Sequence, residues 1–276
     1  MGQVIIPKGI AQAIEREWSP VRVSNPDGDG PCIIVCDHAS NHIPPAFGTL
    51  GLPASELEQH IAWDPGALGV SRTLSRLLDA PLVESCVSRL IVDCNRPLDA
   101  PDLVPSLSET TVIPANADLS EEARRQRVAL SHRPYHAAID RLVLERGKAR
   151  RPGPVFIAVH SYTPVYRGVV RPWHIGIIHD ADERIAAPLI AGLRGLNRYV
   201  VGVNEPYSPA DRVYYTLQRH AGAHGMAAVM IEIRNDLIAA PQQEEAWGAL
   251  LADFLKPITE DEKTGTANRE TARGSL

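Results

Sequence analysis

Short apolar runs alternate with amphipathic helical segments along most of this chain, and this alternation restricts the fold more than any other feature of the sequence. The runs rich in β-branched residues are CIIVC, PLVESCVS, RLIVDC, PVFIAVHS, HIGIIHD, RYVVGVNEP and MAAVMIEIR. Their length and composition predict strands, some of them buried on both faces. Segments between them, such as DPGALGVSRTLSRLLDA and DERIAAPLIAGLRG, carry apolar residues at helical spacing. The sequence therefore predicts an α/β fold with a largely parallel sheet that helices cover on both faces.

The remaining segments complete this outline. A short helix is expected around Ile10 to Trp18, and a longer one follows the predicted cap Ser120 and is interrupted at Pro134. Another amphipathic helix is expected at about 243–255. Residues 98–117 are rich in Pro, Ser and Thr, which predicts a long loop over the surface or over a site. The polar segment 259–276 is expected to be disordered, so that one domain spans residues 1–258.

The composition excludes several classes of function. The 28 basic and 33 acidic residues give a net charge of -5 without a strongly basic segment. A small molecule is therefore the expected partner, and nucleic acid and anionic membranes are not expected. The chain starts without a signal peptide and has no apolar run long enough to span a bilayer, which predicts a cytoplasmic protein. The cysteines lack C-x-x-C spacing and are expected to be reduced, buried thiols: Cys32, Cys36, Cys86 and Cys94.

Polar side chains follow five of the predicted strands, at the point where each strand ends. In an open α/β sheet, ligands bind beyond the carboxyl ends of the strands, where loops converge. Five strands that bring imidazole, carboxylate, amide or guanidinium groups to one edge therefore predict a site there. The residues concerned are Asp37, His38, Asp93, Arg96, His160, Asn204, Glu205, Glu232 and Arg234.

The histidines of this set are candidate metal ligands. His38 and His160 each stand at the end of a buried strand, where an imidazole is held rigidly enough to bind zinc. For each histidine taken alone, a hydrogen bond that caps the strand end is the alternative. His42 has the i, i+4 spacing from His38 that serves zinc on a helix. The two prolines after it exclude a continuous helix, so His42 is interpreted as a loop or pocket residue.

Two acidic residues have competing interpretations. Asp64 precedes Pro65 and Gly66, and it is either the N-cap of the following helix or a third metal ligand. Glu232 lies inside an apolar strand, where an unpaired carboxylate is costly to bury. It either forms an ion pair with Arg234, two residues along the same strand face, or acts as a general base on metal-bound water.

Six ordered segments resemble the N-formylglutamate amidohydrolase family, also called formylglutamate deformylases: CDHASNHIP, WDPGA, RLIVDCNRP, VHSYTP, GVNEPYS and IEIRNDLI. The resemblance runs from about Cys32 to Ile238, three quarters of the chain. It implies a zinc-exopeptidase-like fold, a three-layer α/β/α sandwich with a mixed, largely parallel sheet. It also implies hydrolysis of an N-acyl amide on an amino acid, with formate released from N-formyl-glutamate in histidine breakdown.

The resemblance also implies roles for single residues. His38 and His160 match the family's two metal-binding histidines, and Glu232 matches its acidic residue near the reacting centre. Asp64, in WDPGA, is our candidate for the third ligand of one zinc ion. Asn41 stands three positions after His38, where carboxypeptidase-like sites carry a glutamate ligand. Asn41 is therefore assigned to the substrate, although the choice of third ligand between Asp64 and Asn41 stays open at this stage.

The expected reaction is metal-assisted amide hydrolysis, with zinc on His38, Asp64 and His160 and with Glu232 moving the proton. The side chains expected to bind the substrate are Asn41, Arg96, Asn204 and Arg234. One alternative is the hydrolysis of another N-acyl amino acid or a small peptide. The others are a metal-independent amidase with Cys36 or Ser40 as nucleophile, and a small-molecule-binding protein without turnover.

Overall fold

The computed structural model describes residues 18–149 and 154–264. The helix expected around Ile10 to Trp18 lies, apart from its last residue, outside the described residues. The strands are β1 Val21–Ser24, β2 Cys32–Cys36, β3 Leu82–Ser85, β4 Leu107–Ser108, β5 Thr111–Val112, β6 Val155–Tyr162, β7 Val165–Tyr166, β8 Val169–Val170, β9 Ile175–Ile178, β10 Val201–Val203 and β11 Ala228–Arg234.

Seven of these strands form one mixed sheet in the order β1-β3-β2-β6-β11-β9-β10. Its centre consists of β3, β2, β6 and β11, which are parallel to one another. At one side β1 is antiparallel to β3, and at the other β9 is antiparallel to β11. Because β10 is parallel to β9, it also runs against the central strands. The carboxyl ends of β2, β6 and β11 thus share one edge of the sheet, and the carboxyl end of β10 lies at the opposite edge.

Helices connect and cover the strands. Within the described residues the α-helices are α1 Ala54–Leu57, α2 Ala67–Leu77, α3 Glu121–Arg127, α4 Arg133–Ala149, α5 Ala186–Gly195, α6 Tyr215–His220 and α7 Pro241–Thr264. Ser120 caps α3 as expected, because its hydroxyl accepts a hydrogen bond from the Ala123 N–H at 3.2 Å. The interruption expected at Pro134 is a π-helical turn, Val128–His132, between α3 and α4.

An apolar cluster on each face of the sheet gives the protein three layers. Successive residues of β2 alternate between the clusters, with Ile34 in one and with Ile33 and Val35 in the other. The first cluster includes apolar side chains of α2, α5 and α7, and the second those of α4 and α6. Full burial of one such side chain contributes about 1.5–3 kcal/mol, so the two layers hold the strand ends firmly in place. The predicted α/β class, with a mixed and largely parallel sheet, is confirmed.

Two predictions of secondary structure are wrong. RLIVDC, residues 89–94, is a turn-rich loop and not a strand, because Leu90, Ile91 and Val92 pack into a third apolar cluster outside the sheet. The C-terminal helix α7 continues to Thr264 and buries Thr259. The first residues of the segment expected to be disordered are therefore helical, and 265–276 lie outside the described residues. In the described ranges, none of the helices has both the length and the apolar character that a membrane span requires.

Candidate active site

His38, Asp64 and His160 form the centre of the site, and three separate chain segments bring them together. His38 follows β2, His160 lies in the neighbouring parallel strand β6, and Asp64 lies in the turn before α2. The Asp64 N–H donates to the His38 carbonyl at 3.0 Å, which fixes the turn against the end of β2. One ligand atom of each residue lies within 4.8 Å of the other two, and all three side chains are buried.

The Asp64 carboxylate faces the two imidazoles and not the start of α2. Its Oδ2 lies 3.2 Å from His38 Nδ1 and 2.8 Å from His160 Nδ1. The N-cap of α2 is Gly66, and no side chain caps that end of the helix. With a φ of 81°, Gly66 adopts the left-handed conformation that favours glycine. Asp64 is therefore not an N-cap, and its position agrees with the alternative of a metal ligand.

A second carboxylate holds the far nitrogen of each imidazole. Asp93 Oδ1 lies 2.7 Å from His38 Nε2, and Asp37 Oδ2 lies 3.0 Å from His160 Nε2. Asp93 also accepts a hydrogen bond from Arg89 Nη2 at 2.7 Å. Carboxylates in this position fix the tautomer and the orientation of a histidine that binds metal. Both rings consequently direct Nδ1 toward the same point, next to Asp64.

The carboxylates dominate the electrostatics of this cluster. Burial lowers the pKa of both histidines, but Asp93 and Asp64 raise the pKa of His38 above its ordinary value. Asp37 and Asp64 raise the pKa of His160 further still. Burial raises the pKa of Asp64, yet the two imidazoles outweigh this effect and lower it. Buried carboxylates that stabilise positive charge on imidazoles also favour a bound cation.

The donor set fits a zinc ion. Two imidazoles and one carboxylate are a common protein ligand set of catalytic zinc sites, which keep a further position open. His38 and His160 would bind through Nδ1, because Asp93 and Asp37 occupy the Nε2 atoms. The structure therefore contains a candidate metal site at the three residues that the sequence predicted for it, His38, Asp64 and His160.

Glu232 lies beside the cluster, in β11, as the register partner of His160 in β6. It is buried, and its Oε2 has no hydrogen-bond partner among the described residues. Burial raises the pKa of Glu232 to about 7. The ion pair considered with Arg234 does not form, because the Arg234 Nε donates to Asp236 Oδ1 at 2.8 Å. Glu232 is therefore a carboxyl group able to exchange a proton near neutral pH.

A cavity of about 250 Å³ opens onto His38, Asp64, His160 and Glu232. Residues 98–117 form part of its wall, and the short hairpin of β4 and β5 lies within them. His60 Nε2, on another segment of the wall, lies 2.9 Å from Glu109 Oε2 near the turn of this hairpin. The 98–117 segment, expected to be a loop over the surface or over a site, lies over the site.

Three of the four side chains expected to bind substrate lie outside this cavity: Asn41, Asn204 and Arg234. Asn41 Nδ2 donates to the Leu57 carbonyl at 2.9 Å and so fixes the loop after β2. Arg234 is engaged by Asp236, as described above. Arg96 does line the cavity, and Asp102 holds its Nε at 2.8 Å.

Asn204 lies at the opposite edge of the sheet from the site. It follows β10, and the prediction assumed that this strand is parallel to the central ones. Because β10 runs the other way, its carboxyl end points away from His160 and Glu232. Asn204 Oδ1 there accepts a hydrogen bond from the His179 N–H at 2.9 Å. The prediction that places Asn204 in the site is therefore wrong.

Some residues of the cavity wall were not anticipated from the sequence. Arg89 bridges the carboxylates of Asp64 and Asp93, at 3.4 and 2.7 Å. Arg89 precedes Asp93 by four residues, and this spacing could have indicated that the two side chains pair. The predicted strand argued against such a pair, because residues four apart in a strand lie far from each other. Tyr207 also lines the cavity; it lies in the GVNEPYS segment that carries part of the family resemblance, but only Asn204 and Glu205 of that segment were singled out as candidate site residues.

The structure excludes the two nucleophiles of the metal-independent alternative. Cys36 is fully buried in β2, and burial raises the pKa of its thiol well above the ordinary value. Ser40 does not line the cavity, and its hydroxyl accepts a hydrogen bond from the His42 N–H at 3.0 Å. Neither side chain is positioned or activated for attack on a ligand beside His38.

Comparisons with known proteins show which solved structures and which family this chain is similar to. The crystal structure of the gene product Atu2144 from Agrobacterium tumefaciens is 42% identical over 90% of this chain and 97% of that chain, with a TM-score of 0.86. The fold also resembles N-formylglutamate amidohydrolase from Ralstonia eutropha JMP134, at 19% identity over 90% of this chain and 100% of that one, with a TM-score of 0.65. The search of curated proteins found no match. Because the family model of N-formylglutamate amidohydrolase matches residues 30–239, well over half of the sequence, this chain belongs to the N-formylglutamate amidohydrolase family of hydrolases.

Proposed function

We propose that this protein is a metal-dependent hydrolase of N-acyl amino acids, with N-formyl-L-glutamate as substrate and formate and the free amino acid as products. The observation that carries the proposal is the cluster of His38, Asp64 and His160 on one cavity with the unbonded carboxylate oxygen of Glu232. Membership of the amidohydrolase family supports the choice of an amide bond and of a formyl group.

The residues of the cluster divide the chemistry among them. His38, Asp64 and His160 would hold one zinc ion, which when bound lowers the pKa of a water ligand to about 7 and polarises an acyl carbonyl. Glu232 takes one proton from the attacking water and delivers it to the amine nitrogen as the amide C–N bond breaks. Because none of the residues that the structure describes bonds its Oε2, that oxygen is available to the water.

Arg96 is our candidate for binding a carboxylate of the amino-acid part. Its Nε is held by Asp102, and its Nη1 donates to the carbonyls of Asn95 and Arg212. Its Nη2 has no partner among the described residues, and the side chain lines the cavity. A guanidinium fixed in this way loses little conformational freedom when it binds a carboxylate.

The first test is substrate turnover. We expect zinc-loaded protein to release formate from N-formyl-L-glutamate faster than it releases acid from N-acetyl or N-succinyl amino acids. Formate and free amine are measured in parallel, and zinc is determined on protein purified without chelator. Release of free amine only from an acetyl or succinyl substrate would show that the acyl group of the substrate is that group and not formyl. No release from any compound would reject hydrolysis and leave a binding protein.

The second test concerns Glu232. We expect E232Q to lower kcat by at least about 100-fold, because the amide cannot accept the water proton, while bound zinc stays unchanged. The matched control is E245Q, since Glu245 is an exposed helix residue paired with Arg76 and lies outside the cavity. Unchanged turnover in E232Q would show that Glu232 is not the base.

A further inference from the structure

A buried arginine stands behind the cavity wall among three tyrosines. The Arg171 guanidinium carbon lies 4.5 Å from the ring centre of Tyr166, 4.8 Å from that of Tyr207 and 5.6 Å from that of Tyr162. The tyrosines line the cavity, whereas Arg171 does not and is only 7% exposed. Contact with aromatic rings stabilises a guanidinium that has been removed from water. The three rings therefore keep a positive charge fixed directly behind the wall.

Within the described part of the chain, no carboxylate pairs with Arg171 to explain its burial. None of the described acidic side chains forms an ion pair with it, and its Nη1 has no hydrogen-bond partner. Its backbone N–H donates to the Pro164 carbonyl at 2.8 Å, which ties the residue to the base of the hairpin formed by β7 and β8. A buried cation without a counter-ion is costly, so the fold keeps Arg171 here at the expense of stability. A buried polar atom left without a hydrogen-bond partner in a native structure calls for an explanation, and a catalytic role is one.

The hydrogen bond from Arg171 determines where the Tyr207 hydroxyl can point. Arg171 Nη2 donates to the Tyr207 oxygen at 3.1 Å. The hydroxyl's own proton must then be directed elsewhere, and none of the described residues accepts it. Because Tyr207 lines the cavity together with Glu232, that proton is available to a ligand. Burial, and then the charge of Glu232, raise the pKa of Tyr207, so the hydroxyl stays protonated at neutral pH.

We propose that Tyr207 is a catalytic residue that donates a hydrogen bond to the acyl oxygen of the substrate, and that Arg171 is a positioning residue that orients and polarises this hydroxyl. The inference rests on the proposed amide hydrolysis. As water adds to the carbonyl carbon, negative charge develops on the acyl oxygen. A donor already oriented in a buried site stabilises this charge more than it stabilises the uncharged substrate. Tyr207 therefore acts on kcat more than on KM.

The test compares kinetic constants of single and double variants on N-formyl-L-glutamate. We expect Y207F to lower kcat about 100-fold with KM within about 3-fold of the parent, as for the loss of one oxyanion donor. R171M should lower kcat as well, because the hydroxyl is no longer oriented. The double variant Y207F/R171M should be no slower than Y207F within about 3-fold, since both changes remove one interaction. R171K, which keeps the charge and a donor, should recover part of the R171M loss.

The matched control is the pair of Arg198 and Tyr199. Arg198 stacks on the Tyr199 ring at 4.6 Å and donates to its hydroxyl, but neither residue lines the cavity. Y199F should therefore leave kcat and KM unchanged. Thermal unfolding of each variant checks that the protein is folded. If Arg171 had only a structural role, R171M would lower the unfolding temperature, and the non-additive effect on kcat would be absent.

The possible results separate this inference from the function on which it rests. Turnover in Y207F within about 3-fold of the parent would overturn the role of Tyr207 alone. Losses that multiply in Y207F/R171M would overturn the role of Arg171, because the two residues would then act independently. A parent protein that hydrolyses none of the acyl amino acids would reject the proposed function, and this inference with it.

Discussion

Single residues in this site take their properties from their immediate neighbours. His38 and His160 are ordinary imidazoles by sequence, yet each lies between two carboxylates, and both present Nδ1 to the same carboxylate oxygen of Asp64. The outer carboxylate of each pair holds the ring in one orientation before any ligand arrives. Metal affinity should therefore depend on residues that are not themselves candidate ligands.

Replacing Asp93 by Asn tests this dependence. We expect D93N to weaken zinc binding by about 10–100-fold, because the His38 ring loses the carboxylate that fixes its tautomer. Affinity is measured by competition with a chromophoric chelator, so the result does not rely on turnover. D236N is the control, since Asp236 pairs with Arg234 outside the cavity. Equal zinc affinity in D93N and the parent would contradict the assigned role of Asp93.

At the scale of elements, the turn before α2 decides where Asp64 points. Gly66 closes this turn with a φ of 81°, and a Cβ at this position would lie 2.2 Å from the Ile238 carbonyl oxygen. Both the backbone conformation and the neighbouring chain therefore require glycine. The contact also joins this turn to the segment after β11, so the positions of Asp64 and of the end of the sheet are coupled.

We expect G66A to lower the free energy of unfolding by about 1–3 kcal/mol, because alanine is strained in this conformation and meets the Ile238 carbonyl. Zinc affinity should fall as well, since the turn carries Asp64. Urea unfolding and chelator competition measure the two effects. In the control G147A, on the exposed side of α4, no described atom apart from the neighbouring backbone of the helix itself lies within 4 Å of the new methyl group, and stability should rise by up to about 1 kcal/mol. Equal stability of G66A and the parent would show that the turn tolerates a side chain.

On the scale of the whole molecule, buried histidines link stability to pH. His136 lies 2.9 Å from the Cys94 carbonyl through Nε2 and 2.7 Å from His220 Nε2 through Nδ1. Burial, with smaller effects of His132 and His220, lowers the pKa of His136 to about 2. The unfolded chain takes up a proton at this residue near pH 6.5, and the folded protein does not. The stabilisation is therefore complete above pH 6.5 and is lost as the pH falls toward the folded pKa.

H136Q should make this acid sensitivity weaker. Between pH 6 and pH 4, the parent should lose about 1.4 kcal/mol more per pH unit than H136Q, because glutamine does not titrate. Urea unfolding of metal-free protein at several pH values gives the slopes. H42Q is the control, because His42 is exposed and its ring packs against Trp18. If the free energy of unfolding falls equally steeply with pH in the parent and in H136Q, His136 has the same pKa in the folded and the unfolded protein.

The sequence predicted much of the fold and the centre of the site, and it failed where direction or packing decides. Continuous apolar runs identified β2, β6, β9, β10 and β11, because burial on both faces leaves a local signature. The same reasoning misassigned residues 89–94, since an apolar run also fits a buried loop. The rule for strand ends located His38, His160 and Glu232 correctly and failed for Asn204, because it presumes parallel strands.

By itself, then, the sequence determined the class of fold, the strands that meet at one edge, and the residue types that they bring there. These properties depend on the order of residues along the chain, which side-chain periodicity and composition report directly. Only the tertiary structure decided that Asp64 faces two imidazoles, that Asn204 lies at the far edge, and that Arg171 stands behind Tyr207. These relations arise from turns and strand directions that bring distant segments together, and no local pattern of side chains specifies the direction in which a strand is added to a sheet.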